Sequence, residues 1–156
     1  MLEIAIPGYE TIRAKHLLLD VNGTLTIDGV LIPGVAERIE RLKSVLHVAL
    51  LTSDTFGTAC EIAGTLGVEL EVLQSEHTRE EKLQVVHRLG LSSVVAIGNG
   101  ANDAMMVETA VLGIAVVQSE GASPHTLAKA DVVFGSIGDA LDALLNPQRL
   151  VASLRR

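Results

Sequence analysis

Asp20-Val21-Asn22-Gly23-Thr24-Leu25-Thr26 follows directly on an apolar run, His16-Leu17-Leu18-Leu19. A short apolar run bounded by turn residues reads as a buried strand, here residues 17–20. It delivers an acidic side chain to the strand's carboxyl end. Gly23 and Thr24 then let the backbone turn. In open α/β sheets, ligands bind outside the carboxyl ends of the strands. A carboxylate there, ahead of a glycine-containing turn, suits nucleophilic attack on phosphorus or the binding of a metal ion.

The pattern repeats down the chain. Apolar runs at residues 45–51, 68–73, 94–97, 112–117 and 131–134 read as further strands. Between them lie helical patterns, the first with Val35, Ile39 and Leu42 on one face and the second with Ala59, Ile62, Ala63 and Leu66. Thr55-Phe56-Gly57 leads into the second helix and Gly67 closes it. Thr78-Arg79-Glu80-Glu81 reads as a capping box, with Thr78 as N-cap and Leu83, Val86 and Leu89 turned inward. Residues 104–109, 122–129 and 137–145 read as helices, and Pro147 begins a terminal one. Residues 2–6 and 11–14 read as two arms of an N-terminal hairpin around Pro7-Gly8. Asp28-Gly29, flanked by β-prone residues, marks a second hairpin within residues 25–32. Alternation of this kind predicts an α/β fold: a three-layer α/β/α, Rossmann-like parallel sheet with a short β-hairpin flap.

At 156 residues the expectation is a single domain over residues 1–156. Hydrophobic residues make up 48% of the chain, so it folds around a core; aromatics are only 2%, so that core is aliphatic. Few aromatics leave little on which exposed bases could stack, and a net charge of −7 opposes a phosphate backbone, so no nucleic-acid partner is expected. No apolar run approaches the roughly 20 residues of a membrane span. No basic segment followed by an apolar one opens the chain, so the expected location is cytoplasmic. Cys60 is the only cysteine and reads as a buried, inert thiol. The histidines at 16, 47, 77, 87 and 125 show no metal-ligand spacing.

Three strand ends carry polar clusters: residues 20–24, 52–55 and 99–103. Parallel strands bring all three to one edge of the sheet. Lys82 sits on the first turns of the helix after the third strand of that sheet. Each feature alone is ordinary, since Asp, Ser and Thr after a strand usually cap or turn, and a lone Lys on a helix is usually solvated. Their joint order raises the functional reading.

That order, Asp20-Val-Asn-Gly-Thr-Leu-Thr26, Leu50-Leu-Thr-Ser53, Lys82, then Gly98-Asn-Gly-Ala-Asn-Asp103, resembles the haloacid dehalogenase (HAD) superfamily of phosphohydrolases. It is most similar to the small soluble proteins related to the phosphorylation domain of P-type ATPases. The resemblance implies a HAD-like fold and a Mg²⁺-dependent phosphatase. Asp20 would be the nucleophile that forms an aspartyl-phosphate. Thr52 or Ser53, with Thr52 favoured, would bind the transferring phosphoryl group together with Gly23 of the turn and Lys82. Lys82 would also orient Asp20. Asp20, the backbone carbonyl of Asn22, Asn99 and Asp103 would hold Mg²⁺. The chemistry agrees: a transferring phosphoryl group carries dispersed negative charge, so its site needs cations and donors, and Mg²⁺ takes oxygen ligands.

Two positions depart from the family pattern. Asn22 stands where these phosphatases carry an acidic general acid and base, and an amide cannot transfer that proton. Asn99 stands where an acidic metal ligand is common. General acid–base help is typically worth about 10²–10⁴-fold in rate. The expectation is a slow phosphatase that prefers good leaving groups, such as acyl or aryl phosphates. The alternative is a phosphate-binding or regulatory module, a phosphoryl switch with little or no turnover.

No room is left for a cap domain. Only a hairpin fits between Thr26 and Pro33, and one helix and one strand fill the span from Asp54 to Lys82. An open site implies a phosphoprotein substrate, or a small phosphorylated substrate covered by a neighbouring subunit. Capless tetrameric sugar-acid 8-phosphate phosphatases offer a similar arrangement, so a homodimer or homotetramer is an expectation. A P-loop is absent, and the missing nucleotide-binding domain and membrane helices exclude ion pumping by this chain alone.

Overall fold

A computed structural model describes residues 1–53, 57–74 and 76–155. Its centre is a six-stranded, all-parallel sheet. In chain order the strands are β3 (His16–Asp20), β6 (His47–Thr52), β7 (Glu69–Val72), β8 (Val94–Gly98), β9 (Leu112–Val116) and β10 (Val132–Phe134). In space they run β10-β9-β8-β3-β6-β7. The chain winds outward from β3 through β6 to β7, crosses back, and winds outward again from β8. β3 and β8 therefore flank the point where strand order reverses, which is where ligands enter such sheets.

Alternating residues of β3 face opposite layers, as the pleat requires. Leu17 and Leu19 join one core with Val35, Ile39 and Leu42 of α1 (Val35–Leu42), Ile62 and Leu66 of α2 (Ala59–Leu66), and Ile137 and Leu141 of α6 (Ile137–Leu145). Leu18 joins the other with Val85 and Val86 of α3 (Thr78–Leu89) and Met106 and Val107 of α4 (Ala104–Thr109). α5 (Pro124–Lys129) and α7 (Gln148–Leu154) complete the helices. The three-layer α/β/α expectation holds, with an aliphatic core.

Both hairpins form: β1 (Leu2–Ile4) with β2 (Ile12–Ala14), and β4 (Thr26–Ile27) with β5 (Val30–Leu31). Asp28 and Gly29 both take positive φ, 50° and 78°, as a tight hairpin turn demands. Among the described residues, this hairpin is the only insertion between the Asp20 loop and α1.

Three local expectations are corrected. His77, not Thr78, is the N-cap of α3 and offers no side-chain cap bond. The Thr78 hydroxyl instead accepts from Asn102 Nδ2 at 3.4 Å. The inward face of α3 is Lys82, Val85 and Val86, with the half-buried Leu89 packed against the same core as expected; Leu83 is half-buried and not part of that core. Lys82, Val85, Val86 and Leu89 fall at i, i+3, i+4 and i+7, so the buried lysine shares the inward stripe with Leu89 and leaves Leu83 off it. Cys60 is exposed, because Ala59, Ile62 and Ala63 occupy the buried face of α2. Asp54, Thr55 and Phe56, part of the second polar cluster and of the lead into α2, lie outside the described residues. Among those described, no helix is long and apolar enough to cross a membrane.

Candidate active site

Asp20 ends β3 at the strand-order reversal, and Gly98 ends β8 beside it. Asp20 is 7% exposed, whereas Lys82 and Asp103 are fully buried. Lys82 Nζ donates to Asp20 Oδ1 at 2.6 Å and to Asp103 Oδ1 at 2.6 Å. One buried cation thus joins two carboxylates brought from β3 and from the loop after β8. Burying an ammonium costs several kcal/mol unless it is paired and hydrogen-bonded, and two anionic partners supply that.

Asp103 closes a 3₁₀ turn, Ala101–Asp103. Its Oδ2 accepts from the backbone amides of Asn99 at 3.0 Å and Gly100 at 2.9 Å. Gly98 makes this closeness possible, because a Cβ there would fall 2.4 Å from Asp103 Cγ. Asp103 therefore spends most of its acceptor capacity on fixing Lys82 and its own loop.

On the other side of Asp20, the Thr24 hydroxyl lies 3.1 Å from Asp20 Oδ2 and 3.1 Å from Asn99 Oδ1. Asn99 Nδ2 donates to the Gly121 carbonyl at 3.0 Å, which fixes the orientation of the amide. Gly23 has φ +79°, and a Cβ there would lie 2.4 Å from Asn99 Nδ2, so the two loops touch through that glycine. Thr24 has one hydroxyl proton and two oxygen acceptors in reach. One of those oxygens is left without a proton at its contact. An all-oxygen set short of protons is the kind of donor group a hard cation takes. Among the described residues no three His, Cys, Asp or Glu side chains group as a metal site, so waters and a phosphate would have to complete the shell.

Burial, followed by the nearby Asp103 carboxylate, raises Asp20 to about 6 against the pull of Lys82. For Lys82, burial favours the neutral form but Asp20 and Asp103 outweigh it, so the amine is held well above its ordinary range. Lys82 is therefore a fixed positive charge.

Thr52 ends β6 and is buried next to Leu51, which pairs with Asp20 across the sheet. Ser53 is exposed. Asn22 is half-buried and bridges to Thr26 at the base of the hairpin. Asp20, Gly23, Lys82, Asn99 and Asp103 are thus gathered into one connected cluster, with Thr52 one residue beyond Asp20's strand partner. Thr24 and Gln118 carry contacts that the motifs did not assign. Thr24 was legible as a hydroxyl on the turn after Asp20. Gln118, in the loop after β9, gave no signal.

A profile of the haloacid dehalogenase-like hydrolases matches residues 1–110. The chain belongs to that family. Among its relatives, an uncharacterized protein of Methanocaldococcus jannaschii is 48% identical over 62 residues, 40% of this chain and 67% of that protein. The soluble P-type ATPase-like phosphatase of the same organism is 26% identical over 141 residues. That match takes in 85% of this HAD-like chain but only 52% of the relative, so the chain spans about half of its length. In fold, the 3-deoxy-D-manno-octulosonate 8-phosphate phosphatase of Moraxella catarrhalis, solved with magnesium, phosphate and its sugar acid, superposes with a TM-score of 0.69. It is 20% identical, and the match covers 90% of each chain. The HAD-like fold and the hydrolase family expected from the motifs are both borne out.

Proposed function

We propose that this HAD-like hydrolase is a Mg²⁺-dependent phosphatase working through an aspartyl-phosphate on Asp20. The observation that carries the reading is the pairing of Asp20 with a buried, permanently charged Lys82 at the switch point of the sheet. An Asp20 oxygen attacks phosphorus, the bond from phosphorus to the leaving-group oxygen breaks, and the leaving group departs with that electron pair. Lys82 opposes the charge spread over the phosphoryl oxygens. In this reading Thr52, favoured over the exposed Ser53, binds the phosphoryl group together with Gly23 of the turn; the burial of Thr52 at the end of β6 supports that choice. Water then attacks phosphorus, and the bond to Asp20 breaks to restore the carboxylate.

The oxygens of Asp20 and Asn99 fit a Mg²⁺ ion, with the Asn22 carbonyl and the remaining lone pair of Asp103 Oδ1 as further ligands. Bound there, the ion would neutralise phosphate charge. Asn22 cannot protonate a leaving group, so turnover is slow and favours acyl phosphates, whose leaving groups need no proton. The same residue supports a second reading, a phosphoryl switch with a long-lived phosphoenzyme. The substrate is a small phosphorylated compound or a phosphoprotein, and among the described residues only the β4–β5 hairpin is inserted between the Asp20 loop and α1.

Phosphate release from acetyl phosphate and p-nitrophenyl phosphate, with and without Mg²⁺, tests this. Metal-dependent release that disappears in Asp20→Asn supports the enzyme. Equal release by wild type and Asp20→Asn overturns it.

A further inference from the structure

Gln118 lies two residues past the end of β9 (Leu112–Val116), outside every motif of the site. Its side-chain amide is nonetheless spent on that site. Nε2 donates to the Gly23 carbonyl at 3.0 Å and to the Thr24 carbonyl at 2.9 Å. Oε1 accepts from the Ile137 amide at 2.8 Å. Both amide protons are used, and Ile137 is the first residue of α6, where a helix leaves its N–H without an intrahelical partner. The side chain therefore has one satisfied orientation.

The rest of its turn grips the other half of the site. Gly121 donates its amide to the Gln118 carbonyl at 2.8 Å and accepts from Asn99 Nδ2 at 3.0 Å. Glu120 Oε2 accepts from the Asp28 amide in the hairpin at 3.2 Å. One four-residue turn thus holds the loop after Asp20, the Asn99 side chain and the flap. The loop after Asp20 bonds mainly to itself otherwise, with Thr24, Leu25 and Thr26 all donating to the Val21 carbonyl. Gln118 is its side-chain anchor to the loop after β9, a strand that β8 separates from β3.

We propose that Gln118 is a positioning residue for phosphoryl transfer: by pinning the Gly23 and Thr24 carbonyls it holds the Thr24 hydroxyl against Asp20 and Asn99. The inference rests on Asp20 being the reacting group. Misplacing a reacting group by about 1 Å can cost on the order of 10²-fold in rate.

Two substitutions separate positioning from support of the fold. Gln118→Glu keeps an oxygen for the Ile137 amide but turns an acceptor toward two carbonyls. Gln118→Met fills the space and removes all three bonds. The measurements are acetyl phosphate hydrolysis, thermal midpoint and amide hydrogen exchange. Expected for Gln118→Glu are a kcat lower by on the order of 10²-fold, a smaller change in KM, a midpoint lowered no further than in Gln118→Met, and faster exchange confined to residues 21–26. Gln118→Met should add faster exchange at the start of α6. A wild-type kcat in Gln118→Glu, or losses that merely follow the midpoint in both variants, overturns the proposal. If wild type releases no phosphate, the Asp20 reading fails separately. Exchange at residues 21–26 then still judges Gln118, and unchanged protection in Gln118→Glu overturns its role.

Discussion

The Lys82 ammonium, with no exposed surface, donates to Asp20 Oδ1 at 2.6 Å. A lysine four residues into a helix would ordinarily reach solvent. Here it crosses the core to the end of β3 and meets Asp103 at the same distance. Two anions and one cation leave the cluster one charge negative, a balance suited to recruiting a divalent cation before a phosphate dianion.

Removing the cation exposes that imbalance. In Lys82→Met two carboxylates face each other underground, and breaking such a pair typically costs about 3–5 kcal/mol. Urea unfolding at pH 7.5 should show a loss of that size, and adding Asp103→Asn should recover part of it. A loss near zero would mean that the charges are not coupled as the geometry implies.

Asn22→Asp supplies a carboxyl group that, in the proposed mechanism, could deliver a proton to the leaving group. Turnover of an alkyl phosphate should rise, within the roughly 10²–10⁴-fold typical of general acid–base catalysis. Acetyl phosphate, with its good leaving group, should gain much less. Equal gains on both substrates, or none, would count against a proton-transfer role at this position.

The positive φ of Gly23 and its contact with Asn99 make that glycine hard to replace. Gly23→Ala should lose about 1–2 kcal/mol from the left-handed backbone alone, and more if Asn99 cannot yield. Thermal melting measures the loss, and a parallel fall in phosphate release would show that the two loops act as one unit.

Away from the site, Arg38 and Asp142 clamp α1 to α6 with bonds of 2.8 Å and 2.9 Å. Both side chains are partly exposed, so Asp142→Asn should cost only about 0.5–1 kcal/mol. Arg38, chiefly by hydrogen bonding, holds Asp142 below its ordinary value of 3.8. A carboxylate held low stabilises the fold above that ordinary value and loses its contribution as pH falls through the folded one. The difference between wild type and Asp142→Asn should therefore be constant at neutral pH and shrink below about pH 4. Urea midpoints across that range give the answer.

Much of this was legible because buried parallel strands are continuous apolar runs and their ends are punctuated by polar residues. Residues 16–20 and 94–98 announce both the strands and the edge they share. Asp28-Gly29 announced the hairpin, since few other dipeptides tolerate its backbone. What stayed hidden depends on tertiary contact. Lys82 looks solvated until Asp20 and Asp103 are placed beside it, and burying it leaves Leu83 off the inward face while Leu89 stays packed against the core. Cys60 faces solvent because Ala59, Ile62, Ala63 and Leu66 fill the buried side of its helix. Gln118 has no local signature, because its partners are carbonyls 94 and 95 residues away in sequence.

The central claim is a covalent bond between phosphorus and Asp20. Acid-quenching the chain after brief exposure to acetyl phosphate and Mg²⁺, then mapping the phosphoryl group by peptide mass, tests it most directly. The account predicts phosphate on the peptide that carries Asp20, absent in Asp20→Asn and longer-lived in wild type than in Asn22→Asp. Phosphate found on another residue, or metal-dependent hydrolysis in Asp20→Asn at the wild-type rate, would contradict it.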